Sequence, residues 1–163
     1  MLPFLSPRDL DAPLAWCGGT PVSARQFLRD VARMAERLPA QGAALNLCVD
    51  RYRFSVAFGA ALLRGHVSLF PPNAMAQTID QLRSQYPLLW ALADESTLEG
   101  LTGLDVLAVT GAAPDARAEA IVLPPEQPSA CLLTSGSTGA PQPHLKHWGT
   151  LVRNAAQEAQ RLG

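Results

Sequence analysis

The chain has 163 residues and a mass of 17.4 kDa, which is enough for one domain with a substantial core. Thirteen Lys and Arg against 14 Asp and Glu leave a net charge of −1, so no strong field favours nucleic acid or an anionic membrane as a partner. Hydrophobic residues make up 48% of the sequence, which excludes a disordered chain. Charged residues make up only 17%, which also fits a protein with an apolar face that another part covers.

The first 22 residues are rich in Pro and Gly turn signals and predict a lead-in strand or loop. Ser23 is the expected N-cap of an amphipathic helix over residues 24–38. The apolar stripe of this helix consists of Phe27, Val31, Met34 and Leu38. A second stripe is basic and is either an anion site or, more simply, a solvated face; it consists of Arg25, Arg29, Arg33 and Arg37.

Apolar runs then alternate with helical patterns. Short buried strands are predicted at residues 43–49, 66–70 and 88–92. Helices are predicted between them at residues 51–64, after an Asp50 cap, and at residues 75–85. Because this alternation is typical of right-handed crossovers, the sequence predicts an α/β fold with a mostly parallel sheet and flanking helices.

The second half of the chain predicts further strands and one more helix. The strands are expected at residues 106–109, 121–123, 129–133 and 142–148, and the helix begins near residue 150. We therefore expect residues 23–163 to form one α/β unit after the lead-in segment.

The cysteines and the N-terminus bear on the compartment. Cys17, Cys48 and Cys131 are widely separated, contain no CxxC pair and have no histidine at zinc-ligand spacing, which predicts a reduced compartment and no metal site. The N-terminus has no basic region and no long apolar run, so we expect no signal peptide and no membrane span. The sequence thus predicts a cytoplasmic protein.

Six consecutive Gly, Ser and Thr residues follow the strand predicted at 129–133. They are Thr134, Ser135, Gly136, Ser137, Thr138 and Gly139. Glycines let backbone N–H groups converge on one concavity, and hydroxyls add neutral donors, so this segment suits the oxygens of a polyphosphate. The same composition is common in a plain turn, and the residues alone leave both alternatives open.

The sequence lacks the motifs of several better-known phosphate-binding and catalytic loops. The chain contains no GxxxxGK[ST], no GxGxxG and no GxSxG, so it has neither a Walker A loop, nor a dinucleotide fingerprint, nor a nucleophile elbow. A strand and not a helix is predicted after the loop. Any phosphate would therefore be bound by the loop's own amides and hydroxyls and not by a helix dipole.

The order Thr-Ser-Gly-Ser-Thr-Gly-x-Pro after an apolar strand resembles the phosphate-binding signature of the adenylate-forming superfamily. This superfamily comprises acyl-CoA synthetases, aryl-CoA ligases, luciferases and peptide-synthetase adenylation domains. Residues 50–73 are similar to its early helix and strand, in which an Ala- and Leu-rich helix ends at a Gly and the next strand leads to a Pro-containing loop. Residues 16–27 resemble its start. The resemblance covers most of residues 14–163, and the loop is its most specific part.

The resemblance implies ATP-dependent activation of a carboxylic acid. The carboxylate attacks the α-phosphorus, pyrophosphate leaves, and the thiol of CoA or of the phosphopantetheine on an acyl-carrier protein takes up the acyl group, as in fatty acid metabolism. The resemblance also implies that residues 134–139 hold the β- and γ-phosphates of ATP with Mg²⁺ nearby. No residue of the chain is predicted to be catalytic or a metal ligand.

The family comparison further implies that the chain is the N-terminal part of the large domain. In the family, the adenine pocket, the acyl pocket, the Mg²⁺-binding Glu and a catalytic Lys come from later parts of a longer chain. We therefore expect these 163 residues to be inactive alone, to need the remainder of the synthetase as a partner, and to self-associate through an uncovered face.

The sequence departs from the family directly after the loop. Pro141 is followed by Gln142 and Pro143, where the family usually has Lys-Gly. Lys146 is the only lysine and a candidate phosphate contact, although five strand residues span about 16 Å. His144 shares its face of the strand and is either a second polar contact or a solvated histidine.

One alternative comes from another functional class. A non-catalytic α/β module could keep the family outline and bind phosphate or a protein partner without the chemistry. A flavodoxin-like binder fits the alternation of strands and helices but does not explain the loop.

Overall fold

The computed structural model describes residues 1–5, 9–94, 101, 103–110, 120–135 and 141–162. Of Ser135, Pro141 and Gln142 it describes the backbone alone.

The main body of the fold is a six-stranded sheet. In chain order, the strands are β1 (Leu2–Pro3), β2 (Pro13–Cys17), β3 (Thr20–Ser23), β4 (Ala43–Asn46), β5 (Ser68–Phe70), β6 (Leu89–Ala93), β7 (Asp105–Ala108), β8 (Val122–Leu123), β9 (Pro128–Ser135) and β10 (Pro141–His147). The helices are α1 (Ala24–Arg37), α2 (Arg51–Leu63), α3 (Ala76–Gln85) and α4 (Trp148–Leu162). The sheet has the order β10-β9-β5-β4-β6-β7. Only β9 and β10 pair antiparallel in it, which confirms the predicted α/β class with a mostly parallel sheet.

Two helices begin where the sequence places their caps. The Ser23 hydroxyl accepts a hydrogen bond from the Gln26 amide at 3.1 Å, and the Asp50 carboxylate accepts one from the Arg53 amide at 2.8 Å. Each side chain satisfies a backbone N–H group that the first turn of a helix leaves free. After α2, Gly65 has a φ of +76°, a conformation that glycine adopts without strain.

Two apolar clusters cover the two faces of the sheet. The larger one holds the predicted stripe of α1 together with the small residues of α2, and the smaller one holds Ile79 and Leu82 of α3. Ala44 and Leu45 are neighbours in β4 but belong to different clusters, as expected for side chains that alternate across a strand. The central strands β4, β5 and β6 are therefore buried between α1 and α2 on one side and α3 on the other.

The lead-in segment is more ordered than a simple strand or loop. Strands β2 and β3 form an antiparallel hairpin, in which Gly18 and Gly19 both have positive φ, as a tight two-residue turn requires. The first strand, β1, pairs with β8 from the second half of the chain. This long-range pairing has no local sequence signal.

The strand predicted at residues 43–49 is shorter than expected, because β4 ends at Asn46. The Asn46 side chain accepts a hydrogen bond from the Cys48 amide at 3.3 Å, and the Asp94 carboxylate accepts one from the Val49 amide at 2.8 Å. Side chains thus take over the backbone donors that a strand partner would otherwise satisfy. Val49 is consequently turned outward and is 72% exposed.

Two of the four arginines in the basic stripe of α1 bond to other parts of the protein. Arg25 forms an ion pair with Asp11 at 2.7 Å, and Arg37 donates to the Ala108 carbonyl at 3.1 Å. These contacts support the interpretation of the stripe as a surface feature. Within the described ranges, no helix has the length and apolarity needed to cross a membrane.

The Cys48 thiol makes stability depend on alkaline pH. Burial, with a smaller effect from Asp94, raises the pKa of Cys48 from 9.0 to about 12. Because the thiol ionises more readily in the unfolded chain, the free energy of unfolding should fall as pH rises above about 9, by up to about 1.4 kcal/mol per pH unit. Urea unfolding of wild type and Cys48→Ala between pH 8 and 10 tests this: the variant should show the smaller loss. Parallel pH profiles would contradict it.

Candidate phosphate site

The hairpin of β9 and β10 carries the Gly/Ser/Thr segment. In this hairpin, Ser135 pairs with Pro141 and Thr134 pairs with Gln142. The predicted site residues Gly136, Ser137, Thr138 and Gly139 lie outside the described residues. The structure does describe the two strand ends that residues 136–140 connect, and these ends are paired through Ser135 and Pro141.

The end of β9, where the segment begins, lies at a particular edge of the sheet. Strand β9 runs parallel to β5, and β5, β4 and β6 run parallel to one another. The segment therefore leaves from the edge at which these strands have their carboxyl ends. This is the edge at which open α/β sheets bind their ligands.

Thr134 and His144 form a polar pair at the root of the segment. The Thr134 hydroxyl lies 3.3 Å from Nε2 of His144, and both side chains are exposed. His144 stands opposite Leu132 in the register, so it reaches Thr134 diagonally across the strand pair. The structure thus brings together one predicted phosphate-binding residue and the histidine for which the sequence left two alternatives, a second polar contact or a solvated histidine.

Lys146 lies further from the segment. It pairs with Ala130, which is in register with Ser68, the first residue of β5. Lys146 is four positions beyond Gln142, a length of about 13 Å along a strand. The structure therefore does not bring Lys146 close to Thr134, and a contact of its ammonium group with phosphate stays a prediction that Lys146→Ala can test.

Two buried carboxylates at other places were not expected from the sequence. Asp94, directly after β6, is 2% exposed and accepts hydrogen bonds from the amides of Val49 and Asp50, so it fixes the turn from β4 into α2. Asp30 on α1 accepts a hydrogen bond from the Tyr52 hydroxyl at 2.5 Å. Burial, followed by this bond to Asp30, raises the pKa of Tyr52. An acidic residue at the end of an apolar strand was the available signal for Asp94; Asp30 gave none.

Two open hollows lie beside these groups. One has a volume of about 770 Å³ and an aromatic lining that includes Phe4, Trp16 and Phe58. The other has a volume of about 790 Å³ and includes Cys17, Asp30 and Arg53. No described residue of β9 or β10 lines either hollow. In the described part of the chain, no three His, Cys, Asp or Glu side chains are grouped as a metal site would require.

Comparison with known proteins gives a consistent result for the fold. No family model matches the sequence, and no curated protein matches it. Among solved structures, apo MatB from Rhodopseudomonas palustris has a TM-score of 0.72 at 17% identity, over 93% of this chain and 34% of that one. O-succinylbenzoate coenzyme A synthetase (MenE) from Bacillus subtilis, in complex with AMP, has a TM-score of 0.62 at 16% identity, over 91% of this chain and 42% of that one.

A third similar structure is itself a subdomain. The Klebsiella oxytoca NpsA N-terminal subdomain, in complex with 3-hydroxybenzoyl-AMSN, has a TM-score of 0.61 at 18% identity, over 84% of this chain and 37% of that one. The chain therefore has the fold of the N-terminal region of adenylate-forming enzymes. It spans between 34% and 42% of the length of these three structures.

Proposed function

We propose that this chain is the N-terminal part of an AMP-forming acid:thiol ligase. The observation that carries the proposal is the position of the Thr-Ser-Gly-Ser-Thr-Gly segment, which begins in the last two residues of β9, at the carboxyl edge of a sheet with the fold of these enzymes. Neither the segment nor the fold would be specific alone. Their coincidence at one strand end favours a nucleotide loop over a plain turn.

In the proposed reaction, an oxygen of the substrate carboxylate attacks the α-phosphorus of ATP and forms a new P–O bond. The bond to the bridging oxygen breaks, and its electron pair leaves with pyrophosphate. The thiol sulfur of CoA or of an acyl-carrier protein's phosphopantetheine then attacks the acyl carbon, the thiol proton is lost, and AMP leaves.

In that reaction, the role of this chain would be to bind the leaving phosphates. Backbone amides and hydroxyls of residues 134–139 would donate hydrogen bonds to the β- and γ-phosphate oxygens, which positions ATP and stabilises charge as pyrophosphate departs. Mg²⁺, when bound, would neutralise part of that charge. As a small hard cation it suits phosphate oxygens and water more than a protein cage.

The remaining assignments follow from the same proposal. Residues 1–22 are a lead-in segment and residues 23–163 belong to the N-terminal subdomain, while the adenine pocket, the acyl pocket and the catalytic groups come from further residues of the ligase. The partners are ATP, a carboxylic acid and that remainder, in the cytoplasm. This chain alone should therefore release no pyrophosphate from ATP, and it should self-associate.

The test is exchange of labelled pyrophosphate into ATP by the full-length protein in which this chain occurs, with a panel of carboxylic acids. The proposal predicts exchange that depends on one class of acid. It also predicts none from the 163-residue chain alone. If the full-length protein exchanges no pyrophosphate with any aliphatic, aromatic or amino acid, the assignment as a ligase is wrong.

A second candidate function is a non-catalytic module that binds phosphate. The replacement of the usual Lys-Gly by Gln142-Pro143 favours it, because a positive charge is missing directly after the loop. The two functions give different results with the full-length protein: the module would bind ATP or inorganic triphosphate without any acid-dependent exchange.

A further inference from the structure

The pair of Thr134 and His144 has two arrangements of its hydrogen bond. The hydroxyl can donate its proton to an unprotonated Nε2, or Nε2–H can donate to the hydroxyl oxygen. In the first arrangement, the hydroxyl proton is used inside the protein. In the second, the hydroxyl oxygen is an acceptor and its own proton remains free to bind another acceptor.

Only the second arrangement serves an anion. A phosphate oxygen needs a donor, and a hydroxyl has one proton to give. A histidine that carries a proton on Nε2 therefore both orients the Thr134 hydroxyl and leaves its proton available. The protonated imidazole, with protons on both ring nitrogens, permits only this arrangement.

The position of His144 on β10 also relates it to the phosphate segment. Gln142, His144 and Lys146 occupy alternate positions of β10, and alternate residues of a strand share a face. His144 is the titratable residue of β10 that is nearest to the segment, and it follows the position where the expected lysine is replaced by Gln142. Its exposure leaves it open to a ligand seated over Thr134.

We infer that His144 is a positioning residue of the phosphate site: its ring nitrogen holds the Thr134 hydroxyl so that the hydroxyl donates to a phosphate oxygen. This inference rests on the proposed function, because it takes residues 134–139 as the loop that binds the triphosphate. The inference adds a difference from the family. The family usually has a lysine directly after the position of Pro141, whereas in this chain His144 would support the phosphate site through Thr134.

The experiment measures binding of inorganic triphosphate to the 163-residue chain by NMR titration. His144→Ala should weaken binding about tenfold, as expected for loss of one hydrogen bond to a charged group. The matched control is His147→Ala, which removes an exposed histidine at the far end of the same strand, opposite Pro128, and should leave the Kd unchanged. His144→Gln keeps an amide N–H donor and should restore most of the affinity.

A double-mutant cycle separates positioning from a general effect on the strand. If His144 acts through Thr134, Thr134→Val and His144→Ala together should weaken binding no more than Thr134→Val alone. Independent, additive losses would overturn the inference, as would a His144→Ala variant with the Kd of wild type. If the wild-type chain binds no triphosphate, the phosphate loop of the proposed function fails as well, so the two failures are distinguishable. Melting curves of all variants should coincide, because both side chains are exposed.

Discussion

Replacing Ser137 and Thr138 together by alanine is expected to lower acid-dependent pyrophosphate exchange by the full-length protein about 10- to 100-fold. In the proposed function, each hydroxyl donates to the leaving phosphates, and the loss of such a donor in a transition state typically costs one or more orders of magnitude. Because the loop would act on the departing charge, kcat should fall more than the KM for ATP rises. Steady-state exchange rates at varied ATP concentration give both values.

The control for this pair is Thr78→Ala with Ser84→Ala, which removes two hydroxyls from α3. These hydroxyls bond to Asn73 and to the Gln81 carbonyl and take no part in the proposed site. The control should keep the rate of wild type. Equal rates for the loop variant and the control would show that the hydroxyls of residues 137 and 138 do not serve the reaction.

Replacing Gly42 by alanine is expected to destabilise the protein by about 3 kcal/mol. Gly42 has a φ of +118°, which disfavours any side chain. A Cβ atom there would overlap the carbonyl oxygen of Leu88 and lie 2.8 Å from Nε1 of Trp90. Leu88 cannot move away freely, because its carbonyl accepts a hydrogen bond from Ala43 at the start of β4. The energetic costs of backbone strain and of overpacking therefore add at Gly42, directly before β4.

Chemical denaturation of Gly42→Ala and Gly18→Ala measures this effect. Gly18 also has a positive φ, of +57°, but a Cβ atom there would meet nothing within 4 Å. Gly18→Ala should therefore cost only about 1 kcal/mol from backbone conformation. If both substitutions cost the same, the close approach of Gly42 to Leu88 and Trp90 does not determine the stability of this region.

Local signals in the sequence predict most elements of the fold. Short apolar runs predict β4, β5 and β6 because a strand buried on both faces needs no polar alternation. Ser23 and Asp50 marked helix starts because their side chains bond to backbone donors within three residues.

The features that were missed depend on partners far along the chain. Beyond the early end of β4, the Val49 amide binds Asp94, which is 45 residues away. The pairing of β1 with β8 joins the two halves of the chain. The pairing of β1 with β8 leaves no periodic or capping pattern near its residues, and the contact of Asp94 is signalled only by an acidic residue at the end of an apolar strand.

The candidate site depends on residue order and strand register, and not on the local signals that predict helices and strands. Composition does not separate a phosphate loop from a turn; the order of the residues from 134 to 139 favours the loop, through resemblance. The contact of Thr134 with His144 depends on the exact register of β9 and β10, and one residue of slippage would turn His144 to the other face. It could therefore be found only in the structure.

The central claim is that residues 134–139 bind the phosphates of ATP, and backbone amide NMR of the ¹⁵N-labelled chain tests it most directly. On titration with ATP and with inorganic triphosphate, we predict saturable shifts centred on the amides of Gly136 and Gly139, with Thr134 and His144 also affected. Shifts that are absent at millimolar ligand, or that centre on another part of the sheet, would contradict the account.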